Sequence, residues 1–221
     1  MKLFLSALVK FTVGFLFVCA LLFLSSGTLA YMNGWLFIAI LFIPMFILGA
    51  VLLFKAPELL EKRLNAKETE KTQKGVVALS VLVFLFGFIV AGLDFRFGWS
   101  HVPFWAVVAA SAVFLVSYAL YAEVMRENAY LSRTIELQEG QTLVDSGLYG
   151  IVRHPMYSVT VFLFLSIPIL LGSWWSLLCF LPYIFIIVIR IRSEERLLSE
   201  CLSGYTEYKT RVKYRLVPFI W

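Results

Sequence analysis

The chain alternates between long apolar runs and shorter polar ones. Six apolar windows stand out, at about residues 4–24, 33–54, 76–93, 103–125, 156–172 and 174–191. The first four reach the ~20 residues that a helix needs to cross a bilayer core. The last two are shorter and joined only by Gly172-Ser173-Trp174, which predicts a tight helical hairpin. Backbone polar groups cannot enter lipid unpaired, and the runs lack the strict alternation of barrel strands, so helices are expected. Two patterns outside the runs read as surface helices. "APELLEKRL" (56–64) puts Leu59, Leu60 and Leu64 at amphipathic spacing, and the stretch from Glu195 to Trp221 mixes aromatics with bases, as a membrane-interface helix with an irregular end would. The expected fold class is an all-α integral membrane protein of about six transmembrane helices, the last two a tight hairpin, with a C-terminal interfacial helix.

Composition agrees with this pattern. Hydrophobic residues make up 61% and charged residues 15%, against about 45–50% and 25% in soluble domains. The placement of the basic residues then predicts orientation. Loop 25–33 has none, loop 55–74 carries six, loop 94–102 only Arg96, and the next has Arg126, Arg133 and Arg153. The hairpin turn has none, and the tail again is rich in Lys and Arg. Rich and poor loops alternate, as the positive-inside rule requires for six spans with both termini cytoplasmic. The net charge of +5 is accounted for by orientation and anionic lipid headgroups, with no nucleic-acid partner. Residues 1–30 could instead be a cleaved signal peptide ending at Thr28-Leu29-Ala30, but the long run and the span that follows favour a retained helix. Cys19, Cys179 and Cys201 form no CxxC, which suggests neither a disulfide framework nor a zinc site.

The chain divides by character into residues 1–125, transmembrane helices with one charged loop, and residues 126–221, which hold most side chains able to do chemistry. In "LYGIVRHPMYS" (148–158), Pro155 marks a helix start, because the residue before a proline is pushed out of the helical region. The N–H groups of Met156 and Tyr157 would lack helical partners and attract an anion, with Arg153 and His154 adding to the pull. An ordinary helix start with a snorkelling arginine is the plainer alternative. In "IRIRSEERLL" (189–198), Arg190 shares one helix face with Glu194 and Arg192 another with Glu195; surface ion pairs are the plain reading. Hairpin connectivity nevertheless returns this stretch beside residues 153–157, and two polar motifs converging at a membrane surface suggest function. The connector 127–150, with Gly140, Gly147 and Gly150, would lie over the hairpin as a lid. There is no GxGxxG, no Walker loop and only His101 and His154, which argues against a Rossmann or P-loop site, a metal centre or a Ser-His-Asp hydrolase.

"QTLVDSGLYGIVRHPMYS", a tight hairpin, "RIRSEERLL" and "GYTEYKTRVKYRLVPFIW" together resemble the isoprenylcysteine carboxyl methyltransferase family, its bacterial members especially. "PELLEKR" (57–63) and "AGLDFRFGWSHVP" (91–103) extend the likeness over roughly residues 50–221. The resemblance implies an integral membrane enzyme that uses S-adenosyl-L-methionine without a Rossmann domain, at a site on the cytoplasmic face. Carried over by motif, the cofactor contacts fall on Gln138, on Gln141, Thr142, Leu143 and Val144, on Tyr149, on His154, Pro155, Met156 and Tyr157, and on Glu194. Arg190 matches the arginine that holds the substrate and is the implied catalytic residue. "LSGYTEY" stands where eukaryotic members have an FGEEY-like stretch.

The residues suit those roles. The helix start at 154–157 suits the cofactor's carboxylate, and Glu194 can accept from ribose hydroxyls or an ammonium. A carboxylate acceptor, with an ordinary pKa near 3.5, needs no general base at neutral pH, and Arg190 would orient it in a dry pocket. An amine acceptor would need a base, for which Glu195 and Tyr157 are the choices. The leading expectation is methyl transfer to a carboxylate of a lipophilic or prenylated acceptor, small molecule or protein. A phospholipid amine or thiol methyltransferase, an NADPH-dependent reductase of the sterol-reductase type, and a transporter or channel subunit are the alternatives. Membrane lipids are expected partners, nucleic acids and metals not.

Overall fold

The computed structural model describes residues 2–65, 71–131, 137 and 140–221. The described residues form helices α1 (Lys2–Ser26), α2 (Met32–Lys55), α3 (Pro57–Asn65), α4 (Lys71–Phe97), α5 (Phe104–Glu127), α6 (Pro155–Leu170), α7 (Trp174–Phe180), α8 (Pro182–Cys201) and α9 (Tyr205–Arg211), with no strand among them. Five stretches are long and apolar enough to cross a membrane: α1, α2, Lys74–Phe97 of α4, α5, and α7–α8 taken together as Trp174–Cys201. Each has at least 24 residues, which at ~1.5 Å per residue is ~36 Å or more, against ~30 Å of hydrocarbon. Large apolar side chains such as Phe4, Val13, Phe46, Phe54, Phe104 and Phe185 point outward. In water that surface would aggregate; in lipid it is solvated.

The fifth apolar run, expected as one of six spans, makes a helix shorter than a crossing needs. α6 has 16 residues, about 24 Å, less than a full crossing. Pro155 sets its start, and Gly172, in the left-handed region at φ +83°, turns the chain at its other end. The hairpin is present. Ser173 Oγ accepts from Ser176 N–H at 3.0 Å and begins α7 at Trp174. The second arm runs further than its apolar window: the backbone stays helical through Leu181, although Pro182 lacks an N–H, and continues to Cys201. The charged stretch 189–198 is therefore rigid helix.

α5 lies along α6, α1 along α4, and α4 along α7. Glycines make the close approaches possible. A Cβ on Gly87 would stand 2.2 Å from the Phe180 ring, and one on Gly92 would meet Ser25 Oγ and the Leu22 carbonyl. The core around them is aromatic, with Phe84 edge-on to Phe164 and Phe180 at 4.7 and 5.2 Å. A polar knot closes the bundle end near Gly172. Buried Asp94 accepts from Ser100 N–H (2.7 Å), Ser100 Oγ (2.6 Å) and Ser173 Oγ, while Tyr31 donates to the Leu171 carbonyl at 2.5 Å. This knot locks the hairpin turn to α4, and so sets how the other ends of α6 and α8 stand beside each other.

Candidate active site

At those other ends, His154 precedes α6 and Pro155 is its first residue. The first helical bond there is Ser158 N–H to the His154 carbonyl, 3.1 Å, so the Met156 and Tyr157 N–H groups lie ahead of the ladder. The turn before it is built around glycine. Gly147, at φ +56°, begins a short 3-10 turn to Gly150, and a Cβ there would stand 1.9 Å from Glu127 Oε1. Glu127 in turn accepts from Leu148 N–H at 2.9 Å, and Asn128 Nδ2 donates to Tyr149 Oη at 3.0 Å. The end of α5 thus holds Tyr149 in place.

The tail holds the motif from the other side. Arg153 and His154 N–H donate to the Tyr214 and Arg215 carbonyls, each at 2.9 Å. The Arg153 side chain, 8% exposed, donates through Nε to Glu195 Oε1 (2.7 Å) and through Nη1 to the Val212 (2.7 Å) and Lys213 (2.8 Å) carbonyls. Arg215 Nε donates to the second oxygen of Glu195 at 2.9 Å. Three sequence expectations change here. Glu195 does not serve an Arg192 surface pair: its carboxylate is buried between Arg153 and Arg215, and Arg192 is exposed. With both oxygens engaged by guanidinium groups, Glu195 is ill suited to act as a general base. Arg153, committed to Glu195 and two carbonyls, clamps the tail rather than supplying charge to an incoming anion.

A pocket opens between this helix start, the segment 141–144, the outer half of α8, and α9. Of the residues predicted from the sequence, Gln141, Thr142, Leu143, Val144, Tyr149, His154, Met156, Tyr157 and Glu194 line it together. Pro155 is buried and shapes the helix start without lining the space. Gln138 lies outside the described residues. Arg190 lines a neighbouring groove instead, about 580 Å³ in volume, walled by Phe17, Leu21, Val81, Phe84 and Ile187 among others. Met156 and Tyr157 belong to both spaces. The buried Tyr157 hydroxyl accepts from Arg190 Nε at 3.5 Å and also lies against Glu194. A polar pocket and an apolar groove therefore meet at one two-residue wall.

Two pocket atoms are buried without a hydrogen-bond partner among the described residues, His154 Nε2 and Tyr205 Oη. His154 Nε2 stands 3.4 Å from Glu195 Oε1, a contact longer than an ordinary hydrogen bond. Unsatisfied polar atoms in a cavity wall suit a polar ligand that completes them. Burial pushes the phenols of Tyr149 and Tyr205 up, the latter further through Glu195 and Glu194. Burial likewise pushes Tyr208 up to about 12. All three are neutral hydroxyls at physiological pH.

Residues 104–203 match the family model described as phospholipid methyltransferase. That segment runs from the start of α5 past the end of α8 and contains every pocket residue named above except Tyr205 and Tyr208. The chain is also similar to the Delta(14)-sterol reductase TM7SF2 of Mus musculus, 32% identical over 99 residues, 40% of this chain and 22% of that protein. It is 27% identical to the Delta(14)-sterol reductase of Methylotuvimicrobium alcaliphilum over 140 residues, 54% of this chain and 31% of that protein. The chain thus spans less than a third of the length of either reductase. Residues 104–203 are thus similar to phospholipid methyltransferases, within a chain that has, among its described residues, five helices long and apolar enough to cross a membrane.

Several wall residues of the pocket carry no motif. Leu197 and Leu198 extend the Glu194 face of α8 at helical spacing, a signal the 3.6-residue period could have supplied. Tyr205 and Tyr208, three apart on α9, follow the same rule, and Tyr208 donates to the Tyr149 carbonyl at 2.7 Å. Asn128 and the clamp of Arg153, Glu195 and Arg215 had no local signal, because their partners are 20 to 42 residues away.

Proposed function

We propose that the protein is an S-adenosylmethionine-dependent methyltransferase acting on a carboxylate of a lipophilic or prenylated acceptor. The observation that carries this reading is the junction of a polar pocket with an apolar groove at Met156 and Tyr157. The residues around the pocket fit the cofactor's chemistry. The segment 141–144 and Tyr149 offer backbone and side-chain polar groups, and the N–H groups at the start of α6 suit a carboxylate. Glu194 would accept from hydroxyls or an ammonium, and His154 Nε2 and Tyr205 Oη are atoms in need of partners. When bound, S-adenosylmethionine supplies an electrophilic methyl group to the acceptor oxygen and is left as the uncharged thioether.

The chain's own residues do the rest. Arg190, on the groove side, holds the ionised acceptor; Tyr157 stands between Arg190 and Glu194, so acceptor and cofactor side chains are braced on one hydroxyl. The groove walls exclude water, and no proton needs to be removed from a carboxylate. With Glu195 committed to two arginines, one of the two candidate bases for an amine acceptor is taken, which favours the carboxylate over phospholipid amines. The site would face the cytoplasm of the inner membrane, with loops rich in Lys and Arg on the same side. The catalytic groups fall within residues 126–221.

A second reading is a membrane reductase using a nicotinamide cofactor, favoured by the similarity to the two sterol reductases. Calorimetric titration of the detergent-purified protein separates the two. The first reading expects binding of S-adenosylmethionine and its demethylated product and none of NADPH, and NADPH binding alone would reverse the ranking. Mass spectrometry of lipids incubated with methyl-labelled S-adenosylmethionine would then identify the acceptor.

A further inference from the structure

The surface helix α3 holds one side chain that anchoring does not account for. Glu58, Glu61 and Lys62 are exposed, as a helix at a polar boundary requires. Arg63 turns the other way. Its Nη1 and Nη2 donate to Tyr121 Oη at 2.9 and 2.8 Å, and Nη2 lies 3.9 Å from Met156 Sδ. The guanidinium carbon stands 5.2 Å above the Tyr121 ring. Arg63 thus reaches the wall of the groove that Arg190 and Tyr157 also border, and it touches Met156, which lines the cofactor pocket as well.

The groove is therefore strongly polarised. Arg63 and Arg190, from α3 and α8, are permanently charged, while Phe17, Leu21, Val81, Phe84, Phe88 and Ile187 contribute only hydrocarbon. Charge beside hydrocarbon in one groove complements an amphiphile with an anionic head and an apolar tail. A cationic head would meet like charge at the same place. We propose that Arg63 is an acceptor-binding residue that, with Arg190, selects and orients the anionic head of a membrane amphiphile against Met156. This rests on the reading of the groove as the acceptor site. It gives α3 a task beyond lying on the membrane: the helix carries half of a two-arginine grip into a site whose Tyr121, Met156, Tyr157 and Arg190 lie more than 50 residues away in sequence.

The test uses the full chain in nanodiscs of zwitterionic phosphatidylcholine, without cofactor, titrated with tritiated N-acetyl-S-farnesylcysteine and with its carboxamide. The two probes share a tail and differ in head charge. The wild type should prefer the carboxylate by about tenfold or more, the scale of a charge-assisted contact. Arg63→Gln should lose most of that preference and leave carboxamide affinity within about twofold, and Arg63→Lys should restore part of it. Tyr121→Phe removes the anchoring phenol but not the cation and should keep the preference. An unchanged thermal-unfolding midpoint in detergent certifies that each variant is folded. A wild type without carboxylate preference, equal losses for both probes, or matching losses in Arg63→Gln and Tyr121→Phe would overturn the proposal. Because no methyl is transferred in this titration, the two readings fail separately. An Arg63-dependent preference in a protein that transfers no methyl keeps the grip and refutes the reaction; methyl transfer with no dependence on Arg63 does the reverse.

Discussion

Glu195→Gln separates the surface ion pair suggested by helical spacing from the buried clamp that the fold builds. An Arg192–Glu195 pair at a membrane surface would contribute ~0.2–0.5 kcal/mol. In the structure the carboxylate is instead 7% exposed and accepts from Arg153 at 2.7 Å and Arg215 at 2.9 Å. Glutamine keeps the shape, but one of its two ends becomes an N–H donor facing a guanidinium. Arg153, itself 8% exposed, is left with a buried charge and no anion. Breaking a buried pair from one side costs about 3–5 kcal/mol; because the Arg215 side chain is 33% exposed, its share is screened and the lower end, ~3 kcal/mol, is expected. The assay is denaturant unfolding in detergent, with limited proteolysis of residues 212–221, where Arg153 also holds the Val212 and Lys213 carbonyls. Glu195→Gln should unfold ~3 kcal/mol earlier and expose the tail, whereas Arg192→Ala should change stability by less than ~0.5 kcal/mol. Similar small losses in both variants, with the tail still protected, would refute the clamp.

Arg190→Ala should leave S-adenosylmethionine affinity within about threefold yet abolish methyl transfer, while Glu194→Ala should weaken cofactor binding about tenfold or more; calorimetry and turnover on both variants check this, and parallel small losses rescued by a charge swap would reduce the two to a surface pair. Tyr205→Phe removes a buried hydroxyl without a hydrogen-bond partner among the described residues, so apo stability should hold or rise while cofactor affinity falls several-fold. Loss of stability without loss of affinity would place the hydroxyl outside the binding role. Gly87→Ala would put a Cβ 2.2 Å from the Phe180 ring and should destabilise by about 1–3 kcal/mol through overpacking, read by unfolding in detergent. An unchanged midpoint would show that α4 and α7 can separate freely.

What the sequence determined by itself was whatever local chemistry decides. Apolar runs too long and too continuous for water can only be helices in lipid, so the first four spans and the hairpin could be read directly. The expected fifth span, by contrast, is a helix too short to cross. Pro155 and Gly172 limit α6 because proline and left-handed glycine constrain the backbone wherever they stand. The convergence of residues 154–157 with 190–194 also followed, since a tight hairpin must return its second arm beside the start of the first. Which side chains meet across the site was decided only by the tertiary structure. Glu195 had Arg192 one helical turn away, yet burial delivered it to Arg153 and Arg215, because a carboxylate taken out of water needs its charged partners inside the same dry volume. Arg63 looked like one more base on an amphipathic helix, and only the packing of α3 near α5 and α6 turned it onto Tyr121 and Met156. Helical period assigns a residue to a face; the neighbour that face meets is set by how whole helices pack, and no short stretch of sequence contains that information.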